Sequence, residues 1–415
     1  MSDQRHDDRY QARGVSAGKA EVHAAIAGQD GGLFPGAFCK VVADELTGDP
    51  AWCLAMHADG AGTKSSLAYL AWREGLGDDV WGGIAQDSLV MNLDDLGCIG
   101  ALGPFLVSNT IGRNAKRIPG TVIAAIVAGY QRVCDLLTDQ GVACRMTGGE
   151  TADLGDLVRT LVVDSTVMAR LRREAVIDAG LLWIGPSPAA IAGRIAPGDV
   201  LVGFSSTGQA AWEDVPNAGM GSNGLTSARH ELLGGDYRTT YPETYAPEID
   251  PALIYCGQHR LQDALPGDAR FSVGRALLSP TRTYLPLIKR LLDALPRSDI
   301  HGLIHCSGGG QSKIVKFGGL GRANGLRYIK DALFPVPPLF AALKGATGQS
   351  WAEMHAVYNM GHRLEAAVPE RHVAACLDVA RACAIDARVV GRVEDRGQPG
   401  NEVVVRTAHG EFTYR

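Results

Sequence analysis

HADGAGTKSSLAYL, residues 57–70, decides the fold. The run CLAMHADGAG reads as a buried strand ending in a loop, and TKSSLAYLAWREG continues it as a helix. The glycine spacing matches neither G-x-x-x-x-G-K-[ST] nor the G-x-G-x-x-G that opens a dinucleotide-binding helix. The parts of a phosphate site are nevertheless present: Asp59, Gly60, Gly62, Thr63 and Lys64. Glycines admit backbone N–H groups to an anion, a helix N-terminus adds its dipole, and Lys64 adds a point charge. Asp59 repels bare phosphate, so its place here points to a divalent cation shared with phosphate oxygens. The same residues also read as a plain strand-to-helix turn, with Asp59 capping the helix and Lys64 in solvent.

Working outward, IAQDSLVMNLDDLGCIGA spaces its apolar residues as a helix, PFLVSNTI as a strand, and PGTVIAAIVAGYQRVCDLLTDQG as a long helix between Pro and Gly. VACRMTGGETAD reads as a short strand running into a Gly-Gly turn, and RTLVVDSTVMARL as a strand. This alternation predicts an α/β first domain over 1–172. A change of domain falls in RREAVIDAGLLWIGPSPAAIAG, and a second domain over 173–415 opens with GDVLVGFSSTG. A polar stretch near 230–270 reads as an insertion or long surface excursion.

Bulk properties narrow the function. With 415 residues, 46% hydrophobic and 20% charged, the chain has the balance of a soluble two-domain protein. A net charge of -5 offers no general field for nucleic acid. Runs such as TVIAAIVAGY are too short to span a bilayer, and MSDQRHDDRY has no apolar signal core. The nine cysteines form no C-x-x-C pair and no zinc spacing, and read as reduced thiols. The expectation is a cytoplasmic protein without nucleic-acid or membrane partners.

Further constellations add to the first. Asp87, Asp94 and Asp95 lie on or near one side of a helix whose stripe is Leu89, Val90, Leu93 and Leu96. They are either solvated or, with Asp59, ligands for Mg²⁺. Gly148 and Gly149 precede Glu150 and Thr151, a turn presenting a carboxylate. GMGSNG (219–224) sets Ser222 and Asn223 between glycines, suited to a phosphate ester at a helix start, with Gly224 closing the turn. His305 precedes Gly308, Gly309 and Gly310 at a strand end, and is either a packed histidine or a proton-transfer group.

In this order the motifs resemble the aminoimidazole ribonucleotide synthetase (phosphoribosylformylglycinamidine cyclo-ligase) family. DGAGTK matches its D-G-V-G-T-K, MNLDDL its M-C-V-N-D-L, GGETA its G-G-E-T-A, SPTRTY its A-P-T-R-x-Y, and HCSGGG its H-L-T-G-G-G. RYQARGVSAGKAEV near Tyr10 matches an early tyrosine and A-G-V-D-like element. Departures cluster on the substrate side. GMGSNG puts Gly221 where the family has a histidine, TGQAAWEDVPNAGM lengthens the preceding loop, and YNMGHRL puts His362 and Arg363 where small residues are expected.

The resemblance implies a two-domain α/β (α+β) fold with an N-terminal mixed sheet, dimerising through that sheet. It implies ATP- and Mg²⁺-dependent closure of formylglycinamidine ribonucleotide to aminoimidazole ribonucleotide. Asp59, Asp87, Asp95 and Glu150 are the implied metal ligands. Gly60, Gly62, Thr63, Lys64, Gly148, Gly149 and Thr151 join Asp59 and Glu150 on the triphosphate side. Ser222, Asn223, Gly224, Gly308 and Gly309 face the substrate, and His305, Lys64 and Asp95 act in catalysis. A sister enzyme such as a thiamine monophosphate kinase or a selenide-water dikinase, and a non-catalytic ATP-binding homologue, are the alternatives. Cys39, in FPGAFCKV, lacks the dikinase's glycine-rich context.

Overall fold

A computed structural model describes residues 12–15, 24–25, 28–180 and 194–415. The Tyr10 element, and 181–193 of the expected domain change, lie outside the described residues.

Two sheets organise the chain. The first joins β1 (Val42–Ala43), β2 (Trp52–Gly60), β3 (Phe105–Arg113), β4 (Cys144–Asp153) and β5 (Leu161–Arg172) in the order β1-β2-β5-β3-β4. It is mixed, because β3 and β4 run parallel while the other pairs are antiparallel. Helices α1 (Lys64–Arg73), α2 (Val80–Cys98) and α3 (Gly120–Asp139) connect its strands. In β5 every second residue from Leu161 to Leu171 is buried, so one face of the sheet packs and the other stays open.

The second sheet holds β6 (Val200–Ser205), β9 (Gly302–His305), β10 (Leu326–Lys330), β11 (His362–Val368), β12 (Ala387–Asp395), β13 (Glu402–Thr407) and β14 (Gly410–Tyr414). Its order is β14-β13-β10-β12-β6-β11-β9, with only β10 and β13 parallel. A small hairpin of β7 (Ala264–Leu265) and β8 (Asp268–Ser272) stands apart. The principal helices of this half are α4 (Leu225–Leu232), α5 (Leu285–Ala294), α6 (Pro338–Thr347) and α7 (Val373–Ala382).

Helix α2 is the seam. It is buried nearly all round, as a helix with no solvent face must be. One side packs on β2, β5 and α3; the other meets β9 and α5 of the second half. At Gly97 the fit admits no side chain, since a Cβ there would lie 2.8 Å from a methyl of Leu285. Helix α3 is long and apolar enough to cross a membrane, and its stripe Val122, Ile126, Tyr130, Val133 and Leu137 is buried within this fold.

Two expectations are corrected. GGETAD forms no turn, because Gly148 and Gly149 continue β4 in parallel register with β3. The small residue at 149 makes room for Asn109, whose Oδ1 would lie 1.8 Å from a Cβ there. The 230–270 stretch is not a surface excursion. Tyr237, Tyr241, Ile249, Ile254 and Tyr255 are buried, and Glu243 and Glu74 tie the stretch to α1 by accepting from Tyr69 and Tyr241 at 2.7 and 2.5 Å.

Candidate active site

Strand alternation puts His57 and Asp59 on the same face of β2, toward α2. One turn apart on α2, Asn92 and Asp95 meet them. His57 shares a 2.9 Å hydrogen bond between Nδ1 and Asn92 Oδ1, and its Nε2 lies 3.3 Å from Asp95 Oδ2. The other oxygen, Asp95 Oδ1, is 2.7 Å from Nδ1 of His305, the last residue of β9. A carboxylate thus sits between two imidazoles drawn from opposite halves of the chain. His305 is fully buried, and its Nε2 has no hydrogen-bond partner among the described residues. Donation from Nδ1–H to Asp95 leaves Nε2 with the lone pair, the form needed to accept a proton.

The other two aspartates of α2 hold the seam. Seven residues apart, Asp87 and Asp94 share a helix face and both grip the segment SPTRTY. Asp87 Oδ1 accepts from the Thr281 amide at 2.8 Å and its hydroxyl at 2.6 Å. Asp94 accepts from the Thr283 hydroxyl at 2.9 Å and the Tyr284 amide at 3.0 Å. Burial pushes the Asp94 carboxyl up, against the pull of His305 and Arg363.

Lys64 belongs to this clamp. Its buried ammonium donates to Asp87 Oδ1 at 2.9 Å, Gly221 O at 3.0 Å and Ser279 O at 2.7 Å. Three donors are all an ammonium has, so as folded Lys64 presents none to a triphosphate. Burial lowers its pKa, with Asp87 opposing. The expectations that Lys64 faces phosphate and that Asp87 ligates metal are therefore corrected: the two form a fully buried ion pair.

Nor do the four expected metal ligands converge. Both oxygens of Asp95 face imidazoles. In register, Gly60, Asp164, Thr110 and Glu150 form one row across the sheet. Glu150, on the open face of the edge strand β4, is thus three strand spacings from β2, roughly 14 Å. Asp59 instead has Asp164 as its neighbour. The Asp164 carboxyl is pushed up by burial and by the Asp59 charge, and its Oδ1 overlies Gly60. Asp164 shares the open face with Glu150 whereas Asp59 shares the α2 face with His57, so the four-residue set does not fit one Mg²⁺, and Asp59 alone of it stands at the glycine turn.

In the second half the expected substrate residues do come together. Ser222 Oγ lies 3.1 Å from Thr281 Oγ1, and Gly224, at φ 74°, starts α4 without a capping side chain. A Cβ at Gly308 would lie 3.5 Å from Asn223 Nδ2, so the loop after His305 rests against the Ser222–Gly224 turn. Gly309, at φ 102°, turns that loop into the next helical segment. Thr63, at the start of α1, and Thr226, near the start of α4, join their hydroxyls at 2.8 Å, so two helix N-termini meet at the cleft. Gly62, at φ 56°, is open around its Cβ position, as a backbone surface for a ligand requires. Gly148 and Thr151 stay exposed on β4 with Glu150, away from this cleft.

His362 and Arg363 part company. His362 is bonded through Nε2 to Glu365 Oε1 at 2.7 Å, deep in the second sheet. Cys306, His362 and Glu365 offer ligand atoms within 4.8 Å of one another, but Lys330 already neutralises Glu365 with an ammonium 2.5 Å away. Against the burial that would raise it, Lys330 and His362 hold Glu365 down to about 2. Arg363 points instead to Gly221.

Sequence reasoning missed His57 and Asn92. His57 carried a signal, since it alternates with Asp59 on one strand face. Asn92 lies one helical turn before Asp95.

Comparison with known proteins gives the family. Residues 38–171 match the family described as AIR synthase related protein, N-terminal domain, and residues 196–403 match its C-terminal domain. A phosphoribosylformylglycinamidine cyclo-ligase of Symbiobacterium thermophilum is 28% identical over 354 residues, 85% of this chain and 83% of that protein. The enzyme of the same name from Methanothermobacter thermautotrophicus is 27% identical, over 86% of this chain and 84% of its own. Among solved structures, a HypE–HypF complex matches with a TM-score of 0.54 at 14% identity, covering 94% of this chain and 97% of the other, a likeness of fold.

Proposed function

The chain belongs to the AIR synthase related proteins, matched in both their domains, and on that premise we propose that it closes formylglycinamidine ribonucleotide to 5-aminoimidazole ribonucleotide, converting ATP to ADP and phosphate. The observation that carries the reading is His305. Asp95 fixes its Nδ1 from across the seam, its Nε2 is buried without a hydrogen-bond partner among the described residues, and the loop it begins rests on the Ser222–Gly224 turn.

The chemistry assigns each group a task. A formyl oxygen is a poor leaving group, so transfer of the γ-phosphoryl of ATP to it makes phosphate the leaving group. The ribose-bearing amidine nitrogen then attacks the formyl carbon, its C–N bond forms, and the C–O bond breaks with loss of phosphate. The proton shed as the ring closes goes to His305 Nε2. Asp95 stabilises the imidazolium so formed, and His57, itself held by Asn92, keeps Asp95 in place. Ser222, Asn223 and the uncapped start of α4 hold the substrate phosphate. Gly60, Gly62 and Thr63 bring backbone and a helix N-terminus to the triphosphate. Asp59, at the glycine turn, would take part in holding Mg²⁺, which would supply charge neutralisation for phosphoryl transfer.

The working form is a homodimer built on the open face of the first sheet, where Met56, Leu106 and Val162 are 68%, 38% and 41% exposed. None of the nine cysteines is in a disulfide, which suits a reducing cytoplasm. Incubation with formylglycinamidine ribonucleotide, ATP and Mg²⁺ tests the reading by following aminoimidazole ribonucleotide and ADP. Asp95→Asn is expected to lose about 10²–10⁴-fold in rate while keeping its fold. Turnover of thiamine monophosphate in place of ring closure would overturn the assignment, and full activity in Asp95→Asn would remove the carboxylate from it.

A further inference from the structure

Gly221 and Arg363, two separate departures in sequence, occupy one place in the fold. A Cβ at Gly221 would lie 2.6 Å from Arg363 Nη1, so the guanidinium fills the space a side chain at 221 would need. Gly221 also has φ 70°, a backbone state that glycine tolerates best. Arg363 is 2% exposed. It donates through Nη2 to the Arg282 carbonyl, and its Nε has no hydrogen-bond partner. Among the described residues no carboxylate lies within ion-pair distance of it, whereas the adjacent Arg282 is paired with Glu213 at 2.5 Å. Lys64, the other cation beside Gly221, is already neutralised by Asp87. Near the uncapped start of α4 a buried guanidinium therefore stands without a direct ion pair, its charge offset only at longer range by the buried Asp94. A buried guanidinium with an unpartnered donor and no direct ion pair is costly, and an anionic ligand that accepts from it lowers the cost.

We propose that Arg363 is the specificity-determining cation for the substrate's phosphate monoester, its guanidinium fork closing the side of the turn that Ser222, Asn223 and the start of α4 leave open. This rests on the reading of that turn as the phosphate cradle. The Nη1 edge meets the turn one residue before Ser222, and a planar fork matches two phosphate oxygens at once. A guanidinium keeps its charge at every physiological pH, so over the neutral range the affinity for a phosphate ester follows only the ester's own ionisation. The site selects a phosphorylated sugar over the free sugar.

Titration calorimetry with ribose 5-phosphate, with ribose as the control, tests this without turnover. Wild type is expected to bind the ester and not the free sugar. R363Q is expected to bind it about 10–100-fold more weakly, and R363K, a cation without the fork, at least threefold more weakly. In turnover R363Q raises KM far more than it lowers kcat, the mark of lost ground-state binding. Ester affinity in R363Q or R363K within twofold of wild type overturns the proposal, as does a wild type indifferent to the phosphate. Should R363Q not fold, R363K alone decides by the same threshold. Ester binding that depends on Arg363 in a protein that does not cyclise leaves this inference standing and removes the activity, so the two fail separately.

Discussion

Asp87→Ala is expected to break the seam between the two halves and to leave metal binding untouched. The carboxylate is fully buried and faces the Lys64 ammonium at 2.9 Å, with neither side chain exposed. Removing one partner of such a pair leaves an uncompensated charge and costs about 3–5 kcal/mol. The Thr281 amide and hydroxyl, at 2.8 and 2.6 Å, lose their acceptor as well, adding about 1 kcal/mol or more.

The loss also depends on pH in a definite direction. Burial already holds the Lys64 pKa below its unfolded value, and Asp87 opposes that shift. Without Asp87 the folded-state pKa falls further, and the unfolded chain binds the proton more readily. The deficit is therefore largest at neutral and acid pH and shrinks as pH rises toward 10. Urea unfolding of Asp87→Ala at pH 7 and pH 9.5 measures both effects. The double variant Lys64→Met/Asp87→Leu, which replaces the pair by apolar groups, should recover most of the stability. A stability within about 1 kcal/mol of wild type, with a raised Mg²⁺ requirement, would refute the clamp and restore Asp87 to the metal set.

Two further predictions concern other parts of the fold. His355 is buried with both ring nitrogens unpartnered, and burial, then Lys330 and His362, lower its pKa from 6.5 to about 4. Because the unfolded chain takes up that proton first, stability falls as pH drops from about 7 to 4. His355→Leu should flatten that slope by about 3 kcal/mol in acid unfolding curves, and an unchanged slope would contradict the assignment. Met56→Glu/Leu106→Glu places charges on the open sheet face and should turn a dimer into a monomer by light scattering. A wild type that is monomeric, or a variant that stays dimeric, would exclude that face as the interface.

Local pattern carried much of the fold. The alternation in LVVDSTVMARL, the Pro-to-Gly span of α3 and the strand-to-helix passage at HADGAGTK all became the expected elements, because each is decided by neighbours in sequence. Strands β10, β11 and β14 were not read. LRYIK and HRLEAAV are buried almost throughout, so neither alternates in polarity as a half-exposed strand does. GGETAD was read as a turn because two glycines usually signal one; the reason they sit in a strand, room for Asn109, comes from another element.

The site divides the same way. The roles proposed for Ser222, Asn223, Gly308 and His305 follow from motifs, and their elements do meet. The fates of Lys64 and Asp87 do not, because their partners Ser279 and Thr281 lie about two hundred positions away in the chain. Three aspartates on one helix look alike in sequence. Facing two different neighbours divides them into a clamp, Asp87 and Asp94, and a partner of His305, Asp95.

The most direct test of the activity follows an oxygen atom. Formylglycinamidine ribonucleotide labelled with ¹⁸O in the formyl group is incubated with the protein, ATP and Mg²⁺, and the inorganic phosphate is read by its ³¹P isotope shift. One labelled oxygen in each phosphate, formed in step with aminoimidazole ribonucleotide and ADP, is the expected result. ADP formed with unlabelled phosphate, or no ring-closed product at all, would contradict it.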